Sequence, residues 1–435
     1  MYLRKRNYAL LSFGNPRTLS VLALAVGAIF IGSTARVAAK NAPAPKPPAS
    51  GNAPQNDPDP VAPVPITRGD PPATNAYDLY VQAMEAIKDI RYDNPELALS
   101  SADKQAIIDK NGDAFRLVRE AGKYPFQAPP IRTFDIDMSS FSSIRSLARL
   151  LKFRSDLQGQ QGKWPEAAES ALDAIALGVK IQQGGPMIQT LVGNSVEAIG
   201  RKPLADALPH LNSQAAIAAA AHLARIEAER PSYASVLREE EMSSEASVLE
   251  VMRDQNQWAS FLKAANFTSA PPTRQSIMDL YVKYMNKAIA AAEKPYSSSA
   301  KPVPHDKGMD DMESVGDPIY RVKFIADQAD NALLIAQLGL QAHRSDNGGY
   351  PDKLSELVPT YLASVPTDPF AASGPIRYVK AGSAYILYSI GPDGKDNGGA
   401  PIDDPALAQM DETGRLRHIV TVTSKGDVVA GVNTF

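Results

Sequence analysis

Apolar residues recur at helical spacing from Thr74 onward. Tyr77, Tyr80, Val81, Met84 and Ile87 share one face, as do Phe141, Ile144, Ala148 and Leu151. The same period is carried by Ala168, Ala171, Leu172 and Ile175, then by Ile188, Leu191, Val192, Val196 and Ile199. Asn212 is placed to cap an Ala-rich helix running to Glu229, Pro231 suits a helix start, and Thr273 can cap a helix containing Ile277, Tyr281, Tyr284, Met285 and Ile289. No alternating strand pattern interrupts this up to Lys294, so residues 74–318 are expected to form an all-α domain of paired antiparallel helices.

The pattern then changes. A helix beginning near Asp317 keeps Val322, Ile325, Ala329, Ala332, Leu333, Ala336 and Leu340 on one face and ends at the segment from Arg344 to Pro351, where Gly348 and Gly349 can adopt positive φ. Strand-like runs follow at Ile376 to Val379 and Tyr385 to Ile390. A last hairpin is expected from His418 to Thr423 and Val428 to Val432, turning at Lys425, Gly426 and Asp427. Residues 319–435 thus read as a small α+β domain with an antiparallel sheet, and the whole chain as multidomain.

The first 68 residues follow neither period. Arg4, Lys5, Arg6 and Arg17 precede an uncharged run from Leu19 to Gly32, and small residues lead to Ala39. This basic, apolar, small-residue order is that of a signal peptide over residues 1–39. Its 14 apolar residues fall short of the roughly 20 that span a bilayer, so a membrane contact is expected only if the segment is not cleaved. Residues 40–73 follow as a Pro-rich disordered linker, with 11 prolines between Pro43 and Pro72.

Composition narrows the chemistry. The chain of 435 residues contains no Cys, which excludes disulfide scaffolds, thiol catalysis and Cys-ligated metal centres. Removing residues 1–39 leaves 40 basic and 48 acidic side chains, a net charge of −8, which argues against nucleic-acid partners. An extracytoplasmic location, periplasmic or secreted, fits both features. Inner-membrane anchoring is the outcome if residues 1–39 stay attached.

Enzyme motifs are fragmentary. Ser298 to Lys301 and Ser101 to Lys104 fit Ser-x-x-Lys, and Ser345-Asp346-Asn347 fits Ser-Asp-Asn, but the Lys-Thr-Gly that completes that set is missing. Glu239, Glu240, Glu241 and Glu245 form an acidic run without the Glu-x-x-His pairs a dimetal centre needs, and read as a solvated helix face. The histidines His210, His222, His305, His343 and His418 are scattered, and His343 suits the end of a helix. The expectation is a non-enzymatic binding or scaffold protein of the cell envelope. The alternative is an extracytoplasmic hydrolase whose site is assembled from distant residues.

Two resemblances add to this. Gly162-Lys163-Trp164-Pro165-Glu166-Ala167, followed by Ala171 and Ala174, resembles the hinge of a tetratricopeptide helix hairpin, although no 34-residue period is visible elsewhere. The order of helix, Gly348-Gly349-Tyr350-Pro351, Leu354 and Leu357, Pro366-Thr367-Asp368-Pro369-Phe370, then Tyr388-Ser389-Ile390-Gly391-Pro392-Asp393-Gly394 and Gly398-Gly399 resembles the globular domain of the major pseudopilin of type II secretion systems. The resemblance covers roughly residues 319–435. The long N-terminal packing helix of that family has no counterpart here, so the module reads as a pseudopilin head without its filament-forming stem. The resemblance implies calcium in the loop after Ser389. There Asp393 and the Ile390 carbonyl match the family's ligands, Asp403 and Asp404 are candidates for the second carboxylate, and Asp396 is a nearby substitute. It also implies partners among envelope or secretion-system proteins, in type II secretion or pilus-like machinery.

Overall fold

The computed structural model describes residues 69–94, 97–133, 138–264, 273–296, 318–403, 408–410, 416–418 and 420–434. The signal segment, the linker up to residue 68, the Ser298 to Lys301 motif and Asp404 lie outside the described residues.

Eleven α-helices are present among the described residues: α1 (Ala76–Glu85), α2 (Ser101–Lys110), α3 (Gly112–Ala121), α4 (Met138–Gln160), α5 (Trp164–Gln182), α6 (Met187–Ala207), α7 (Ser213–Ala228), α8 (Tyr233–Arg253), α9 (Gln255–Ala264), α10 (Arg274–Ala292) and α11 (Pro318–Asn347). Strands β1 (Arg377–Ala381), β2 (Ala384–Ser389), β3 (Ala408–Met410), β4 (Leu416–His418) and β5 (Val428–Val429) follow. The chain is therefore mostly helical with a small antiparallel sheet near its C-terminal end.

Helix starts follow local chemistry. Asn212 Oδ1 accepts the Ala215 N–H at 2.9 Å, Ser232 caps α8, and Thr273 Oγ1 accepts the Ser276 N–H at 3.1 Å. Each satisfies a donor that the first helical turn leaves open. At the far end of α11 the Gly348 N–H donates to the Arg344 carbonyl with Gly348 at φ +73°, so Gly348 supplies the positive φ that stops the helix. Ser345 and Asp346 take hydrogen bonds from Ser213, at 3.2 and 2.7 Å, and so tie the end of α11 to the start of α7.

The closest helix seam is between α5 and α6. A Cβ on Gly193 would stand 2.6 Å from the Gly178 carbonyl oxygen, and one on Gly200 2.7 Å from that of Ala171. Only glycine lets these backbones approach so closely. On the other side of this pair α11 lies along α7. One apolar core runs from Ala168 and Leu172 through Leu223 and Leu333 to Phe370, Leu387 and Val428. A second core gathers Tyr80, Phe115, Leu147, Leu151 and Leu177 among α1, α3, α4 and α5. Among the described residues no helix is long and apolar enough to cross a membrane.

The main sheet has the order β1-β2-β5. Arg377 pairs with Tyr388 and Ala381 with Ala384 in the β1–β2 hairpin, while Val428 and Val429 pair with Ser389 and Tyr388. The last hairpin differs from the sequence expectation: β4 pairs with β3 as a separate two-stranded ribbon, and β5 joins β2. The reason lies at Asp427. It is fully buried, and its N–H donates to the Ala400 carbonyl at 2.8 Å. The turn at Gly426 is thereby committed to the 397–402 loop instead of to a hairpin with residues 418–423.

Candidate functional site

The loop after β2 is built from glycine turns around buried carboxylates. Gly391 is at φ +69°, and a Cβ there would collide with the Gly426 carbonyl oxygen. Before the loop, Asp368 is 3% exposed and accepts from the Ser389 hydroxyl at 2.6 Å and the Ile390 N–H at 3.0 Å. The turn Pro366 to Phe370 therefore fixes the end of β2 from which the loop departs. The Tyr296 hydroxyl, arriving from beyond α10, donates to the Pro392 carbonyl at 2.8 Å, and its ring meets Phe370 edge-on at 5.1 Å.

The expected calcium ligands fall in this loop as follows. Ile390 is buried with its N–H on Asp368. Asp393 is half-buried: its Oδ1 accepts the Lys395 N–H at 2.9 Å, and its Oδ2 accepts Asn397 Nδ2 at 3.3 Å and the Gly426 N–H at 3.4 Å. Asp396 is exposed and accepts from the Gly398 N–H at 3.0 Å and the Tyr388 hydroxyl at 2.9 Å, with Arg377 at 3.5 Å. The Gly398 N–H, the Tyr388 hydroxyl and Arg377 together hold its carboxyl below the ordinary range, against a smaller push from burial. Asp403 is exposed.

Sequence reasoning missed Asp427. Its two oxygens accept the Asn397 N–H at 3.2 Å and the Gly399 N–H at 2.7 Å. Burial pushes its carboxyl up, and the fields of Asp396 and Asp393 add to this. The structure thus brings Asp393, Asp396 and Asp427 within electrostatic reach of one another. The available signal was the acid placed immediately before two strand valines. The donor set is all oxygen, as a hard cation requires. Yet these carboxylates already hold N–H donors, and among the described residues no group of three acids or histidines converges to hold a metal ion.

The densest set of charged side chains lies elsewhere, where α6, α7 and α11 meet. Glu197 on α6 is 0% exposed and Arg201, one turn on, is 1% exposed. Arg201 Nη2 reaches Glu197 at 2.9 Å, Nη1 reaches Asp327 at 2.5 Å, and Nε donates to Asn331 Oδ1 at 2.9 Å. Arg230, just past α7, forks onto Glu197 at 2.5 and 3.0 Å and onto Glu227 at 2.6 Å. Asn331 Nδ2 and Gln182 Nε2 complete the set around Glu197 at 3.0 and 2.6 Å. Burial alone would raise the Glu197 carboxyl, but Arg230 and Arg201 outweigh it and hold the group below its ordinary value. Sequence reading singled out none of these residues. The partners on α11 stand 126 to 134 positions from Arg201 and Glu197, and Arg230 stands 33 from Glu197, so only the i, i+4 spacing of Glu197 and Arg201 hinted at them.

The acidic run on α8 is not a solvated face, contrary to the sequence expectation. Glu239 pairs with Arg132 at 3.2 Å. Glu240 accepts the Met187 N–H at 2.8 Å and so caps α6, whose own N-cap residue Pro186 offers no side-chain acceptor. Glu245 is 6% exposed and has no hydrogen-bond or ion-pair partner among the described residues. Burial, with Glu241 one turn back, pushes its carboxyl up to about 7. From α10 the buried Tyr281 hydroxyl sits near Ser244 in the field of Glu240, Glu241 and Glu245. The helix is wetted less than its charges suggest because α10 covers that side with Tyr281, Met278 and Met285.

Comparison with family models, with curated proteins and with solved structures gave no match to this chain.

Proposed function

We propose that this chain is an exported, non-enzymatic binding or scaffold protein of the cell envelope, working with secretion or pilus-like machinery. The observation that carries the reading is where the charges go. The densest cluster, around Glu197, is spent inside the core and joins α6, α7 and α11 into one frame. That arrangement gives rigidity, which a scaffold needs. The α+β portion, with its Gly-Gly-Tyr-Pro turn and Asp-rich loop, supports secretion-system proteins as partners through its resemblance to the pseudopilin head. In this reading residues 1–39 are removed, residues 40–73 act as a tether, and the loop from Ile390 to Asp404 takes calcium.

Three experiments test the proposal. N-terminal sequencing of the protein from its producing cell is expected to begin at or near Lys40, and an intact Met1 on cytoplasmic protein overturns export. Immobilised chain carrying residues 40–435 is expected to retain secretion components from envelope extract in an immunoblot, and their absence overturns that association. For calcium, the melting temperature is expected to rise by several degrees over EDTA and to lose the rise in Asp393→Ala. Identical curves make the loop a polar turn only.

A second reading, an extracytoplasmic hydrolase, is favoured by one observation. Glu245 near 7 beside Tyr281 is tuned as a general acid or base would be. Turnover of an ester, amide or glycoside panel that vanishes in Glu245→Gln would establish it over the scaffold reading.

A further inference from the structure

On the face of the molecule formed by α2, α3 and α4 lies a cleft of about 640 Å³, within the range that small ligands fill. Its walls carry Arg116, Arg119 and Lys123 from α3 and the turn after it, with Ile108 and Phe115 as apolar patches and Arg154 from α4. Acids are also present, and two of the cations are already paired, Lys123 with Glu120 and Arg116 with Asp113 at 3.7 Å. Glu120 is bound to Lys123 at 2.6 Å and to the Tyr124 hydroxyl at 3.1 Å, and Asp109 accepts from Gln105 at 2.9 Å.

The two guanidinium groups differ from such surface pairs. Arg154 is 7% exposed and lies 4.1 Å over the Phe115 ring. Its Nε donates to Ser170 Oγ at 2.8 Å and its Nη2 to Asp173 at 2.8 Å, which leaves Nη1 without an acceptor among the described residues. Arg119 makes no hydrogen bond or ion pair among the described residues, although it lines the same cleft. Burial pulls the Arg154 guanidinium below its ordinary value, and Arg119 adds to that pull against the help of Asp173. The cleft therefore holds one fixed cation, Arg154, and one exposed cation, Arg119, whose fields oppose each other. An oxyanion between them would satisfy Nη1, relieve the repulsion and use the planar fork that guanidinium offers to phosphate.

We propose that this cleft is a binding site for a small phosphate-bearing molecule, recognised by Arg119 and by Nη1 of Arg154, with Phe115 and Ile108 against its apolar part. The assignment is independent of the envelope scaffold reading and stands or falls without it.

Inorganic pyrophosphate is the probe, titrated calorimetrically into the full chain at fixed ionic strength. Saturable one-to-one binding is expected. Arg119→Gln, an exposed substitution on α3, is expected to weaken it about tenfold or more, while Lys202→Gln on α6 leaves it unchanged. Arg154→Lys keeps the charge and loses the fork, and is read only after its circular dichroism matches the parent. No binding to the parent chain, equal binding by Arg119→Gln, or equal loss in Lys202→Gln overturns the proposal. Citrate binding as tightly as pyrophosphate overturns the assignment to phosphate.

Discussion

At the junction of α6, α7 and α11, Glu197 is fully buried and faces two arginines and two amides; on α8, Glu245 is nearly as buried and faces another glutamate. Burial is similar, and the consequence is opposite. Where partners converge, the carboxyl is held ionised against the cost of leaving water. Where none does, the group keeps its proton close to neutral pH. Burial by itself therefore says little about a buried acid in this fold. The partners supplied by other helices decide its charge.

Glu197→Ala breaks the first half of the comparison. It leaves Arg201 and Arg230 buried against each other, and such removals cost about 3–5 kcal/mol. An unfolding free energy lowered by that amount in urea titration is expected; a change under about 1 kcal/mol would mean that the network contributes little. Gly193→Ala tests whether the close seam that carries Glu197 is equally unforgiving. Its new methyl would press on the Gly178 carbonyl, so a loss of up to about 3 kcal/mol is expected in the same assay.

Glu245→Gln has the opposite sign. Between about pH 4.5 and 7 the unfolded chain has lost this proton and the folded chain still holds it, so stability contributed at this site falls as pH rises through that window. The glutamine variant is expected to be more stable than the parent by roughly 2 kcal/mol above pH 7, with the gain vanishing near pH 4. Glu197 acts in the other direction: its contribution is present above the ordinary carboxyl value and is lost as pH falls through its lower folded one. Parallel melts across pH 3–8 separate the two, and an unchanged Glu245→Gln profile would show that the α8 site is solvated after all. The smallest effect sharpens the picture of α10. Thr273→Ala removes its N-cap and is expected to cost about 1 kcal/mol, read from the melting temperature.

What sequence could show divides along the same line. Helices α4 to α7 were legible because their apolar period is local, and Asn212 and Thr273 announced their own caps. The acidic run was misread because four charges in seven residues look wet, whereas Tyr281 and Met285 arrive from α10 to cover them. The hairpin at Lys425 was misread because turn residues name a turn and not the strand that follows it. Asp427 committed Val428 to β2, a choice settled about 30 residues upstream at Asn397 and Gly399. In the candidate loop, that Asp393 follows β2 was legible from its place after Ser389, whereas the approach of Asp427 to the same loop was not.

The wiring of Arg201 also sets when the fold can close. Its Nε and Nη1 wait for Asn331 and Asp327, 130 and 126 residues later in the chain. Until those arrive, an N-terminal fragment ending after α7 has Glu197 and Arg230 in place but leaves Arg201 half-served in a core it cannot afford to wet. The second core, built from α1, α3, α4 and α5, is complete within such a fragment, but the Arg201 junction is not, and it can close only when three quarters of the polypeptide is available.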